Sequence, residues 1–157
     1  MGADAELVQV VRGDLVESVH RGHAVICDGA GAVIEAWGDP ATIMFPRSAC
    51  KMIQALPLLE TGAGRALSTR HLALSCASHR GLPMHTGLAT DWLRDMGLGD
   101  ADLRCGAHMP YSEEAQADLI RAGEGPCQVH NNCSGKHCGF LMVNRHLNGD
   151  PEYTDPD

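Results

Sequence analysis

The sequence predicts an α+β fold, in which an antiparallel β-meander over residues 1–45 is followed by a helical part over residues 46–150. Short segments rich in Val and Ile, separated by glycine-containing turns, fill the first part. Helical spacing of apolar residues then begins, and no strand pattern returns. Because a meander usually gains strand partners from elsewhere, we expect residues 1–157 to form a single domain that is truncated at its C-terminus.

Four short strands are predicted at the start of the chain. Their sequences are LVQVV, DLVESVH, HAVICD and AVIEAWG. The tetrapeptide DGAG between the last two is typical of a hairpin turn, because Gly and Asp favour the backbone conformations that tight turns require.

Five helices are predicted in the second part. The first starts at Ser48 and has an apolar stripe, with Pro57 expected to kink or shorten it. The others start with capping or helix-initiating residues, namely Ser68, Pro83, Ser112 and Ser134.

Composition excludes several classes of function. The formal net charge of −8 argues against a broad nucleic-acid-binding face, and no apolar run is long enough to span a membrane. The N-terminus lacks the pattern of a signal peptide, so we expect a cytoplasmic protein. In that setting the seven cysteines indicate reduced thiols, buried small hydrophobic residues or metal ligands rather than a disulfide framework.

The segment FPRSACKM places Ser48 three residues before Lys51, one of only two lysines. Residues at this spacing share a face of a helix, so the lysine can lie close to the serine hydroxyl. The chemistry that this suggests is serine attack assisted by a lysine base, as in other Ser-x-x-Lys hydrolases. The alternative is a capping serine followed by a surface lysine.

Two further segments carry candidate groups. LALSCASHRG supplies Ser78 as a second hydroxyl, or simply a helix end whose hydroxyls satisfy backbone carbonyls. QVHNNCSGKHCGF concentrates histidine, cysteine and the second lysine, Lys136. It fits a partial zinc site, an anion-binding helix N-terminus or a merely capped helix.

Taken together, FPRSACK, SCASHRG and HNNCSGKHCGF resemble three signature segments of the asparaginase II family of Rhizobium etli type. The similarity runs from the opening strands through NRHLNGDPEY. It implies a fold like that of serine β-lactamases and glutaminases, and hydrolysis of L-asparagine to aspartate and ammonia. By matching motif, it implies Ser48 as nucleophile, Lys51 as its base, Arg47 as the ligand of the substrate carboxylate and Ser78 as part of a second Ser-Lys pair.

The resemblance also implies a zinc ion bound in part by Cys133 and Lys136, with His137 lining the pocket. Family members continue beyond this sequence, and their later half supplies a further zinc-ligand cysteine and the lysine partner of Ser78. It assigns no role to Cys50 or Cys138. We therefore expect a homodimer or a complementing C-terminal segment. The alternatives are a non-catalytic zinc- or partner-binding fragment, and a hydrolase of another amide or a β-lactam.

Overall fold

The structure, a computed structural model, describes residues 4–155. Its contacts divide the chain into two compact units, one ending at Phe45 and the other beginning at Pro46. All regular elements described in the first unit are strands, and all those described in the second are helices. The predicted α+β order is therefore confirmed.

The first unit consists of two antiparallel hairpins. Strand β1 (Ala5–Arg12) pairs with β2 (Leu15–Gly22), and Gly13 adopts a φ of 61° in the two-residue turn between them. This left-handed conformation suits a tight hairpin turn and is readily available to glycine.

The predicted DGAG turn connects the second hairpin. Strand β3 (Ala24–Cys27) pairs with β4 (Val33–Trp37). The Asp28 carboxylate accepts the backbone N–H groups of Ala30 and Ala32, each at 2.9 Å, and thereby holds the turn. The pairing forms two separate two-stranded sheets rather than one continuous meander sheet.

The strands carry their apolar side chains at the surface. Leu15 and Ile34, for example, are 69% and 67% exposed, and no residue described in β1 to β4 is buried. The described strands therefore form no apolar core of their own. Two-stranded hairpins of this kind are only marginally stable by themselves.

The second unit contains the five predicted helices. They are α1 (Lys51–Glu60), α2 (Thr69–Cys76), α3 (Pro83–Asp95), α4 (Glu113–Ala122) and α5 (Ser134–His146). Short 3-10 turns occupy Arg47–Cys50, Asp100–Asp102 and Gln128–His130. Within residues 4–155, none of the helices combines the length and apolarity needed to cross a bilayer.

Two local details differ from the sequence prediction. Ser48 lies in the 3-10 turn that precedes α1, not in the helix itself. Ser134 is the first residue of α5 and Cys133 occupies the cap position. Pro57 lies inside α1, which ends three residues later at Glu60, in agreement with the expectation that this proline shortens the helix.

Helix α5 lies against α1, α2 and α3 in the core of the second unit. The buried apolar cluster joins these helices and the loops beside them; its members are Leu58, Leu74, Ala89, Trp92, Leu93, Leu103, Val129, Cys138 and Leu141. The Cys138 thiol is fully buried here, and burial raises its pKa to about 12. Cys138 is thus a small packing residue in the described structure.

Two glycines allow α1 and α2 to approach α5 closely. A Cβ atom on Gly135 would lie 2.6 Å from the Leu74 carbonyl oxygen, and one on Gly139 would lie 3.1 Å from Leu58 Cδ1. Since real Cβ atoms essentially never approach a backbone atom that closely, Gly135 is required for the contact between α2 and α5.

We predict that Gly135→Ala destabilises the protein by about 1–3 kcal/mol, because the new methyl group must displace the α2 backbone. Gly87→Ala is the matched control, since Gly87 is inside α3 with open space around its Cα. That variant should be neutral or more stable by about 0.5–1 kcal/mol through helix propensity. Denaturant unfolding of both variants measures the difference, and equal effects would contradict the packing argument.

Candidate active site

Ser48 lies in a strained turn that leads directly into α1. Arg47, the residue before it, has a φ of 52°, which non-glycine residues adopt rarely and at a cost in free energy. Cys50 Sγ donates to the Arg47 carbonyl oxygen at 3.0 Å and so supports this turn. Ser48 is exposed, whereas Lys51 is only 2% exposed. The same short segment therefore presents a hydroxyl to solvent and an amino group to the interior.

Ser78 connects Lys51 to Ser48. Lys51 Nζ donates to the Ala77 carbonyl oxygen at 2.7 Å and to Ser78 Oγ at 2.8 Å. Ser78 Oγ in turn donates to Ser48 Oγ at 2.8 Å. Because Ser78 Oγ accepts from Lys51 Nζ, its own proton is free to point towards Ser48. The result is a continuous hydrogen-bond chain from Lys51 through Ser78 to Ser48.

This hydrogen-bond chain differs from the direct Ser48–Lys51 contact that the spacing suggested. Of the hydrogen bonds described for residues 4–155, none joins Lys51 Nζ to Ser48 Oγ. The two serines share a single lysine. Ser78, which the resemblance places in a second Ser-Lys pair, is bonded in this structure to Lys51.

Arg47 provides a cationic side chain directly before Ser48 in the sequence. Its side chain is exposed, and within residues 4–155 its guanidinium takes part in no hydrogen bond or ion pair. A guanidinium of this kind is suited to bidentate binding of a carboxylate.

The first turn of α5 contains the other predicted site residues. Cys133 is held by its backbone N–H, which donates to Asn131 Oδ1 at 2.8 Å. Lys136 is half-buried, and its Nζ lies 5.3 Å from the centre of the Phe140 ring in a cation–π contact. Cys133 and Lys136 therefore both lie at the N-terminal end of α5.

His137 is 9% exposed, and its Nδ1 lies 2.8 Å from the Tyr153 hydroxyl oxygen. That oxygen also accepts the Arg104 backbone N–H at 2.8 Å, so Tyr153 connects His137 to the Arg104 backbone. Burial lowers the pKa of His137 to about 4, and the charges of Lys136 and Lys51 contribute further. His137 is therefore neutral at pH 7. The sequence indicated no role for Tyr153, which lies in the tail that lacks any periodic pattern.

The donors that the structure brings together do not complete a zinc site. Zinc in proteins takes three or four protein ligands. Within residues 4–155, no three His, Cys, Asp or Glu side chains form a group that could hold a metal ion. Burial raises the pKa of the Cys105 thiol to about 11, and the charge of Cys133 contributes to the same effect. Cys133 and Lys136 can contribute at most two ligands from the start of α5.

Comparison with known proteins bears on the function of this site. The family model described as L-asparaginase II matches residues 8–157. The chain belongs to the L-asparaginase II family. A comparison with curated proteins finds no match. Membership of the L-asparaginase II family indicates an asparaginase-like amidohydrolase, and its implied substrate is asparagine.

Protonation of the buried histidines should make stability depend on pH. The pKa of His79 is lowered from 6.5 to about 4, first by burial and then by His85, Lys51, His108 and His130. Below pH 6.5 the unfolded state takes up a proton that the folded state refuses until about pH 4. The free energy of unfolding therefore falls as the pH drops through this window, by up to about 1.4 kcal/mol per pH unit for each such group.

We predict that His79→Gln reduces this slope in denaturant unfolding measured between pH 7 and pH 4.5. The substitution removes one of the groups whose protonation is opposed by burial. Identical slopes for the variant and the unsubstituted protein would show that His79 does not titrate in this way.

Proposed function

We propose that the chain acts as an L-asparagine amidohydrolase, with Ser48 as the nucleophile of an acyl-enzyme reaction. The observation that supports this most strongly is the Lys51–Ser78–Ser48 hydrogen-bond chain, which ends on an exposed hydroxyl. An isolated serine is a poor nucleophile, and a positioned base that can take its proton is the usual means of activation.

In the first half of the proposed reaction, Ser48 Oγ attacks the side-chain carbonyl carbon of asparagine. Its proton passes to Ser78, and the proton of Ser78 passes to the neutral amine of Lys51. The tetrahedral adduct then collapses, the C–N bond breaks, and a proton returned through Ser78 leaves with the nitrogen as ammonia. Ser78 lies within hydrogen-bond distance of both Lys51 Nζ and Ser48 Oγ, as a relay of protons between them requires.

In the second half, water attacks the Ser48 ester and loses a proton into the same chain. The ester C–O bond breaks, aspartate leaves, and Ser48 regains its hydroxyl proton. Ser48 lies at the N-terminal end of the continuous turn and helix over 47–60. The partial positive charge at that end favours the negative charge that develops in both steps.

Arg47 is the proposed ligand of the substrate carboxylate. It adjoins Ser48, is exposed, and has no competing partner within residues 4–155. A substrate held there places its reacting group close to the next residue in the chain. We assign His137 to the pocket beside Lys51, where its neutral ring adds no second charge to the site.

We also propose that zinc binds at Cys133 and Lys136, together with at least one further ligand in addition to these two side chains. Bound zinc would neutralise a Cys133 thiolate and fix the start of α5. A homodimer stays a prediction, and the exposed apolar residues of the strands are the feature that favours it.

Ser48→Ala should reduce the rate of ammonia release from asparagine by about 10³-fold or more, since it removes the attacking atom. Ser78→Ala should cost about 10²–10⁴-fold in kcat, because proton transfer between Lys51 and Ser48 loses its bridge. Ser18→Ala, an exposed serine in β2, is the matched control and should have no effect.

The same assay with glutamine and a chromogenic β-lactam separates the alternative substrates. Turnover of the β-lactam alone would contradict the asparaginase proposal. A full rate in Ser48→Ala would contradict the assignment of the nucleophile, and a folded chain without any turnover would favour the non-catalytic alternative.

Metal analysis tests the zinc proposal. Purified Cys133→Ala should contain substantially less zinc than the unsubstituted protein, because a thiolate ligand is lost. Cys27→Ala, which removes an exposed thiol from β3, is the control and should retain the full content. Equal zinc content in all three proteins, or none in any, would rule out the proposed site.

A further inference from the structure

We propose that His79 is a positioning residue, which holds Ser78 in the Lys51–Ser78–Ser48 chain by fastening the segment after α2 to the start of α5. The inference rests on the proposed role of Ser48 as nucleophile. His79 directly follows Ser78, yet the two residues differ in environment, since Ser78 is exposed and His79 is only 4% exposed. Ser78 can reach Ser48 while its neighbour is anchored in the interior.

Both ring nitrogens of His79 are engaged in the interior. Nδ1 accepts the Gly81 backbone N–H at 3.1 Å, and Nε2 lies 2.9 Å from Ser134 Oγ. The Ser134 hydroxyl donates to the Val129 carbonyl oxygen at 3.0 Å, so it must accept from His79 Nε2–H. Every bond is satisfied by a single neutral tautomer, with the proton on Nε2.

This arrangement excludes a role for His79 as a general base. A base must present a free nitrogen to the proton that it takes. The only unprotonated nitrogen of His79 is occupied by Gly81, and the ring faces fully buried Ser134 rather than the exposed hydroxyls. The lowered pKa of His79, to about 4, agrees with a ring that stays neutral at pH 7.

The backbone of His79 and of the residues that follow it is also held by hydrogen bonds and packing. The His79 N–H donates to the Asn132 carbonyl oxygen at 3.1 Å, and the Arg80 carbonyl oxygen accepts the Ser112 N–H at 3.0 Å. Gly81 has a φ of 76°, and a Cβ there would lie 2.7 Å from Pro110 Cβ. The segment following Ser78 is therefore held by two separate parts of the chain, one at 110–112 and the other at 132–134.

The position of Ser78 depends on these anchors. On its N-terminal side, α2 ends and the Ala77 carbonyl accepts from Lys51. On its C-terminal side, the first anchored residue is His79. Because hydrogen bonds weaken steeply with small changes in distance and angle, a shift of about 1 Å at Ser78 would break the chain to Ser48.

The test compares three variants at a temperature at which all are folded. His79→Leu removes both ring hydrogen bonds. His79→Gln keeps an N–H donor that can reach Ser134 Oγ. Leu93→Ala, a buried residue of α3, is the control for loss of stability, since it creates a cavity in the core away from the hydrogen-bond chain.

Two readouts are measured. The first is the split between kcat and KM for ammonia release from asparagine. The second is the rate at which a fluorophosphonate phosphonylates Ser48, followed by intact-protein mass spectrometry. In that reaction an O–P bond forms, the P–F bond breaks and fluoride leaves, so the readout reports nucleophile activation independently of the natural substrate.

We expect His79→Leu to lower both kcat and the labelling rate by about 10–100-fold with little change in KM. His79→Gln should recover much of the loss, and Leu93→Ala should be destabilised without losing either rate. If His79→Leu is destabilised yet keeps both rates within about threefold, or if Gln restores nothing over Leu, the inference is wrong.

The two readouts also separate this inference from the proposed function. Labelling of Ser48 in an unsubstituted protein that releases no ammonia from asparagine would overturn the proposed substrate, and the labelling rates would still decide the role of His79. Absence of labelling in the unsubstituted protein would overturn both.

Discussion

The candidate site depends on the hydrogen bonds of the buried Lys51 amino group. A buried amine needs nearby acceptors, because leaving its donors unsatisfied in the interior costs several kcal/mol. Here the acceptors are the Ala77 carbonyl oxygen and Ser78 Oγ, both from the segment that follows α2. The lysine thereby joins the start of α1 to the end of α2, and the resulting hydrogen-bond chain ends on the exposed hydroxyl of Ser48.

Helix α5 gives that arrangement its rigidity. Gly135 leaves room for the backbone of α2, and the Ser134 hydroxyl oxygen accepts a hydrogen bond from the ring of His79. Rigid support is what a catalytic group requires, since geometric tolerance in a proton-transfer chain is a fraction of an ångström. The residues that confer it are small or buried and do not themselves react. In this part of the L-asparaginase II family fold, one helix end thus serves both the proposed nucleophile and the proposed zinc ligands.

Much of the fold could be predicted from local patterns. The hairpins follow from Val- and Ile-rich segments and from turn residues such as Gly13 and Asp28, whose effects extend over only a few neighbours. The helices follow from apolar spacing and start signals. The local pattern failed where a distant contact decides: Ser134 is predicted as a helix cap, but its hydroxyl bonds to Val129 and to His79, which packing brings next to it.

The sequence by itself determined the order of strands and helices, the pairing of Ser48 with Lys51 on one short segment, and membership of the family. These depend on residues close together in the chain or on the order of motifs. Only the tertiary structure decided that Ser78 bridges those two side chains across 30 and 27 residues, and that His79 meets Ser134 across 55. Such contacts form because α1 and α2 pack on α5, and no local propensity specifies which hydroxyl accepts which donor once the helices meet.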